Sequence, residues 1–180
     1  MSAVPRTAEP VLLREDRDGV ATLTLNRPQQ MNLLTSEMLS ALQGAFDAIA
    51  KEPKVRVVVL AATGKGFCAG HDLKEIKALK DLPKIEGLFA QCSRMMQTIP
   101  LLPQPVIAKV QGACVAGGLM LAWACDLIVA SDDAFFADPV VKMGIPGVEY
   151  FAHPFVMPPR IAKEFLFLGE RMPAQRAYEV

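Results

Sequence analysis

Val106-Ile-Ala-Lys-Val-Gln-Gly-Ala-Cys-Val-Ala-Gly-Gly-Leu-Met-Leu-Ala-Trp-Ala-Cys-Asp-Leu-Ile-Val-Ala130 is the stretch that decides the fold. Val106 to Val110 is short, apolar and partly β-branched, the pattern of a buried strand. Gly112 to Gly118 reads as a glycine loop, Leu119 to Cys125 as a short buried helix, and Leu127 to Ala130 as a strand again. Glycines at Gly117 and Gly118 allow a ligand to approach the backbone, and the first N–H groups of the helix have no partner within it. The competing reading of the same glycines is tight helix packing.

Upstream, the pattern occurs a second time. Val55 to Leu60 reads as a strand buried on both faces. Gly64-Lys-Gly-Phe-Cys-Ala-Gly70 follows it as a loop, and a helix starts near Asp72. The spacing GxGxxxG is not the dinucleotide fingerprint GxGxxG, and no GxxxxGK[ST] phosphate loop occurs. One such loop is weak evidence. Two, each just after a buried strand, could aim two backbone N–H groups at one oxygen and form an oxyanion hole.

Further outward, Ile85, Leu88, Phe89, Cys92, Met95, Met96 and Ile99 form a helical stripe, broken by Pro100, Pro103 and Pro105. Thr35 or Ser36 can cap a helix carrying Leu39, Leu42, Phe46 and Ile49, with Glu37 in its first turn. Val11 to Leu13 and Val20 to Leu25 flank the turn pair Asp18-Gly19 and predict a hairpin. Residues 1–10 read as a flexible leader and 11–180 as one core domain. A helix from about Arg160 to Leu168 stops at Gly169, and Pro173 can open another. Strands and helices alternate, so the class is α/β.

Composition narrows the function. Of 180 residues, 52% are hydrophobic and 21% charged, which supports one domain with a real core and excludes disorder as the dominant state. The formal net charge is zero, with no basic excess to favour nucleic acid or a membrane surface. Val110 to Cys125 is too short and too glycine-rich for a bilayer span, which needs about 20 apolar residues. The four cysteines form no CxxC pair and there are two histidines, so neither a metal site nor a disulfide scaffold is expected, and a cytoplasmic setting is the default. Cys114 and Cys125 read as small core residues.

Taken together, Leu25-Asn-Arg-Pro28, Met31-Asn32-Leu33, Gly66-Phe-Cys-Ala-Gly-His-Asp-Leu-Lys74, Gln111-Gly-Ala-Cys-Val-Ala-Gly-Gly118, Ala124-Cys125-Asp126, Phe135-Phe-Ala-Asp-Pro139 and Gly144-Ile-Pro-Gly147 resemble the crotonase superfamily of enoyl-CoA hydratases and isomerases. The resemblance covers about residues 11–180 in the family's order. It implies a spiral of strand-strand-helix repeats, an acyl-CoA thioester as substrate, no cofactor beyond that coenzyme A, and a trimer or hexamer. It implies an oxyanion hole from the backbone N–H groups of His71 and Gly117. It also implies a C-terminal helical portion that the sequence, ending at Val180, does not contain.

Two positions depart from the hydratase pattern. The family's two glutamates fall at Met120 and Val140, and apolar side chains exchange no proton. The neighbours Leu119, Leu121, Pro139 and Val141 are apolar too, so a one-residue shift does not restore them. His71 replaces a small residue; its imidazole either binds substrate or fills the wall. The replacement acid/base candidate is Glu149, which reads equally as a solvated loop carboxylate; Asp138, which could instead cap the Phe136-Ala137 backbone, Tyr150 and His153 stand behind it. Ala69, Gly70, Leu73, Gly118, Met120, Asp138 and Val140 are candidates for contact with the acyl thioester. Asp72 is expected there or as a helix cap, and Asp126 is expected to bond backbone. By the resemblance Arg27, Lys65, Lys74 and Lys77 could meet the coenzyme phosphates, each lysine reading otherwise as a solvated surface charge, and Met38, Met95, Met96 and Met120 either line an acyl tunnel or form ordinary core. A Cys68–His71 thiol dyad is disfavoured, because side chains three apart across a turn need not face each other. The functional expectation is isomerase-like or other enolate chemistry rather than hydration, with acyl-CoA binding without chemistry as the alternative.

Overall fold

The computed structural model describes residues 9–145 and 150–180. Strand β1 (Leu12–Arg17) and β2 (Val20–Leu25) form an antiparallel hairpin whose turn places Asp18 at φ 52° and Gly19 at φ 82°. Two left-handed residues in a two-residue turn match the twist of the strands they join. The first strand runs four residues past the apolar segment expected of it, because the ladder extends to the turn whatever its polarity. Its outer residues Arg14 to Arg17 are exposed, as suits an edge strand.

Helix α1 (Ser36–Ile49) starts where Thr35 accepts a hydrogen bond from the Met38 N–H at 3.1 Å. Strand β3 (Val57–Ala62) follows, then α2 (Leu73–Leu79) and α3 (Leu82–Thr98). Next come β4 (Val106–Val110), β5 (Ala113–Val115), α4 (Gly117–Trp123), β6 (Leu127–Ala130) and β7 (Phe135–Ala137). The last elements are α5 (His153–Val156), α6 (Pro159–Leu168), the two-residue β8 (Met172–Pro173) and α7 (Ala174–Glu179).

A five-stranded sheet has the order β1-β2-β3-β4-β6, parallel except for the opening hairpin. Its inward residues Leu23, Leu25, Val58, Leu60, Val106 and Ala108 are buried against Leu39, Leu42 and Phe46 of α1 and Cys92, Met95 and Met96 of α3. A smaller sheet, β5-β7-β8, stands beside it; β5, expected to be loop, pairs with β7 through Cys114 and Phe136. Successive strand-strand-helix units therefore wind around one core, as the spiral expectation required. Strand β3 departs from expectation in one respect. Val58 and Leu60 are fully buried, but Val57 and Val59 on the other face are only half-buried. Strand β6, an edge strand, leaves Leu127 and Val129 exposed.

Candidate active site

The two glycine loops meet. The chain leaves β5 through Ala116, a non-glycine residue held at φ 49° and ψ −122°. That is a sparsely populated backbone conformation, and such strain persists only where the surroundings impose it. Here the Ala116 N–H donates to Ala137 O at 2.9 Å, on the end of β7, and Ala116 O accepts from Leu119 and Met120 of α4. The sharp turn puts the Gly117 N–H at the start of α4, outside the helix's own ladder.

Opposite stands Gly70, at φ 90°. A Cβ there would lie 3.1 Å from Gly117 N, and a Cβ on Gly117 would lie 3.5 Å from both Gly70 Cα and His71 Cδ2. At Gly70 the left-handed φ and the backbone nitrogen beside it call for glycine, whereas a methyl on Gly117 would meet Gly70 and His71 at ordinary contact distance. The Gly70 loop is fixed from behind by Asn32, which is fully buried. Its amide donates to Thr63 O at 2.9 Å and Gly66 O at 3.1 Å, and its carbonyl accepts from Arg27 N at 2.8 Å. Leu34 N donates to Gly70 O at 2.9 Å and forms a parallel bridge with His71. The motif Met31-Asn32-Leu33 is thus the anchor of the first loop, a role its sequence did not reveal.

Between the loops opens a cavity of about 710 Å³. Ala69 and His71 line it from the first loop, Leu73 and Ile76 from α2, and Phe89, Ala90 and Ser93 from α3. Val115, Ala116, Gly117 and Met120 form the opposite side, and Pro139, Val140, Met143 and Ile145 close it. The Phe89 ring meets the His71 imidazole edge-on at 5.2 Å. Among the described lining residues His71 is the only ionisable side chain.

The structure sorts the sequence-derived candidates. Ala69, His71, Leu73, Gly117, Met120 and Val140 share the cavity, and Gly70 backs it. Gly118 does not face it: a Cβ there would sit 2.3 Å from Cys68 O, so this glycine serves close packing of α4. Asp72 caps α2, accepting from Lys74 N at 2.8 Å and Glu75 N at 3.3 Å. Arg27 is turned the other way; its guanidinium donates to the carbonyls of Glu9, Pro10 and Asn26. Lys65 is exposed and outside the lining. Asp138 is fully buried and faces His153, whose Nε2–H donates to Oδ2 at 2.9 Å, so it does not reach the cavity. Asp126 accepts from Val106 N at 2.7 Å, as expected. Met38, Met95 and Met96 are core, and only Met120 of that set faces the cavity. Glu149, with Pro146 to Val148, lies outside the described residues.

Burial pushes the Cys68 thiol up to about 12, although the Gly70 backbone works slightly against that, and a thiol so placed is no nucleophile. Sequence reading missed Phe89, Ile76, Met143 and Ile145. Phe89 was legible only as part of a core stripe, yet one step around the helix from buried Leu88 it faces the cavity instead. Among the described residues no three His, Cys, Asp or Glu side chains gather where they could hold a metal ion, and no helix is long and apolar enough to cross a membrane.

A family model described as Enoyl-CoA hydratase/isomerase matches residues 15–180. Over 172 residues the chain is 37% identical to the mitochondrial enoyl-CoA hydratase domain-containing protein 3 of Xenopus laevis, covering 93% of this chain and 58% of that protein. It is 38% identical over 178 residues to the (E)-benzylidenesuccinyl-CoA hydratase of Thauera aromatica, covering 93% and 66% respectively. The crystal structure of an enoyl-CoA hydratase from Mycobacterium smegmatis matches with a TM-score of 0.91 at 46% identity, over 95% of this chain and 67% of that one. The chain spans less than two thirds of the length of these curated relatives.

Proposed function

The chain belongs to the enoyl-CoA hydratase/isomerase family, and from that premise we infer that it binds an acyl-CoA thioester with the thioester oxygen at the Gly117 and His71 backbone N–H groups. The observation that carries this reading is the meeting of the two loops, with Gly70 against Gly117 N and one apolar cavity lined by His71 and Gly117. A thioester carbonyl gains negative charge when its α-carbon loses a proton. A fixed N–H donor in a comparable hole lowers such a barrier by about 2.7–4 kcal/mol. The start of α4 adds a favourable dipole. The acyl chain would then run along Met120, Phe89 and Val140.

The reaction that fits is enolate formation and reprotonation, as in an isomerisation, and not water addition. Met120 and Val140, at the positions the resemblance assigns to the hydratase glutamates, are apolar walls of the cavity. Neither positions a water or moves a proton. Glu149 is the carboxylate we assign to the proton step. Binding without chemistry is the second reading, favoured by a described lining whose only ionisable side chain is His71. We also propose that the protein works in the cytoplasm as a homo-oligomer.

Titration calorimetry with crotonyl-CoA, followed by incubation of a saturated acyl-CoA in deuterium oxide, separates these readings. Heat of binding with deuterium entering the α-carbon supports enolate chemistry. Binding without exchange supports the second reading. No binding of short or long acyl-CoA contradicts both.

A further inference from the structure

The pair Asp138–His153 is absorbed by none of this chemistry. Both side chains are fully buried, and their one hydrogen bond, 2.9 Å long, joins residues fifteen apart in sequence. The imidazole sits in an aromatic box, edge-on to Trp123 at 4.7 Å and beside Phe151 at 5.3 Å and Phe165 at 6.4 Å. Asp138 Oδ1 and His153 Nδ1 are buried without partners. Filling such a box with apolar side chains would avoid burying these polar atoms, whose desolvation is unfavourable. A directional bond in that setting selects one arrangement of the segments it joins.

What it joins is the cavity wall. Asp138 follows β7, whose Ala137 O holds the strained turn at Ala116, and it precedes Pro139 and Val140, which line the cavity with Met143. His153 opens α5 and packs on Trp123, at the far end of the α4 helix that Gly117 begins. We propose that Asp138 and His153 are positioning residues: their buried bond clips this wall to α4 at a fixed distance from the oxyanion turn, and acyl-CoA affinity depends on it although neither side chain touches the ligand. The affinity part rests on the acyl-CoA reading above; the clipping part does not.

Three variants test it, each read by the rate of tryptic cleavage after exposed Lys142 and by calorimetric affinity for crotonyl-CoA. His153→Gln keeps an N–H near the Nε2 position and should stay near wild type in both. His153→Phe keeps the aromatic box but removes the donor. It should be cleaved about tenfold faster and bind about tenfold more weakly, as expected when a buried hydrogen bond is broken. The double variant Asp138→Leu/His153→Phe removes every buried polar atom of the pair. It should regain thermal stability yet keep the fast cleavage and weak binding, whereas a merely space-filling pair would regain all three. Should His153→Phe fail to fold, the double variant gives the same decision. Wild-type cleavage rates in the double variant would overturn the clip. If the wild-type protein itself binds no acyl-CoA, the function proposed above falls and the cleavage rates alone decide the clip.

Discussion

Gly117 N lies 3.1 Å from the point a Cβ on Gly70 would occupy. Gly70→Ala therefore does two things at once. It strains a residue at φ 90°, at a cost of about 1–3 kcal/mol, and pushes a methyl group toward the N–H that should receive the thioester oxygen. Thermal melting should show that loss of stability, and calorimetry should show acyl-CoA affinity falling by more than stability explains. Gly44→Ala is the control: exposed in α1 with open space around it, it should gain about 0.5–1 kcal/mol and leave binding unchanged.

Asn32→Ala should destabilise the fold by about 2–3 kcal/mol, because it leaves the buried Gly66 carbonyl, the part-buried Thr63 carbonyl and the Arg27 backbone N–H without their partner. Its signature is a coupled effect. Denaturant unfolding should report the stability loss, and hydrogen exchange at Gly66 to Gly70 should rise more than exchange in α1 or α3.

The opening hairpin, strands β3, β4 and β6, helix α1 with its cap at Thr35 or Ser36, the Asp72 cap and the pairing of two glycine loops were legible in the sequence. Each depends on local chemistry: caps, turn residues and apolar period. What was not legible depends on partners distant in the chain. Asn32 reads as a loop asparagine until Thr63 and Gly66 close over it. Asp138 reads as a site carboxylate until His153 is brought to it across α5. Arg27 reads as a phosphate ligand until the carbonyls of residues 9 and 10 occupy its guanidinium. Strand β5 hid inside a glycine-rich segment, because three residues pairing with β7 leave no periodicity to read.

Burial pushes the Cys68 and Cys125 thiols up to about 12 from an ordinary 9.0, and Cys114 upward as well. A raised folded-state value means that the folded protein keeps protons the unfolded chain has lost. The stability they contribute is complete below pH 9 and falls as pH rises from 9 towards 12, by about 1.4 kcal/mol per pH unit for each such thiol. Urea unfolding at pH 8 and pH 10 should show the decline, reduced in Cys68→Ala relative to wild type. All four cysteines are buried, so a thiol reagent at pH 8 should label the native protein slowly and the urea-unfolded protein fully.

Hydration of crotonyl-CoA should be absent or very slow, since each missing acid/base group typically contributes about 10²–10⁴-fold. Any residual turnover should fall further in Glu149→Gln than in Asp138→Asn. Asp138 is turned to His153 and away from the cavity, and the asparagine can still accept that hydrogen bond. Steady-state rates of the two variants check this; a hydration rate typical of hydratases would show that Met120 and Val140 do not stand where the acid/base pair belongs.

The central claim is that a thioester carbonyl sits at the N–H groups of Gly117 and His71. Vibrational difference spectroscopy of an acyl-CoA carrying carbon-13 at the thioester carbonyl reads that contact directly, because hydrogen bonding to the oxygen weakens the C=O bond. The predicted result is a stretch at lower frequency in the complex than in water, with the shift lost in Gly70→Ala. A bound ligand whose carbonyl keeps its solution frequency, or the same shift in wild type and Gly70→Ala, would contradict it.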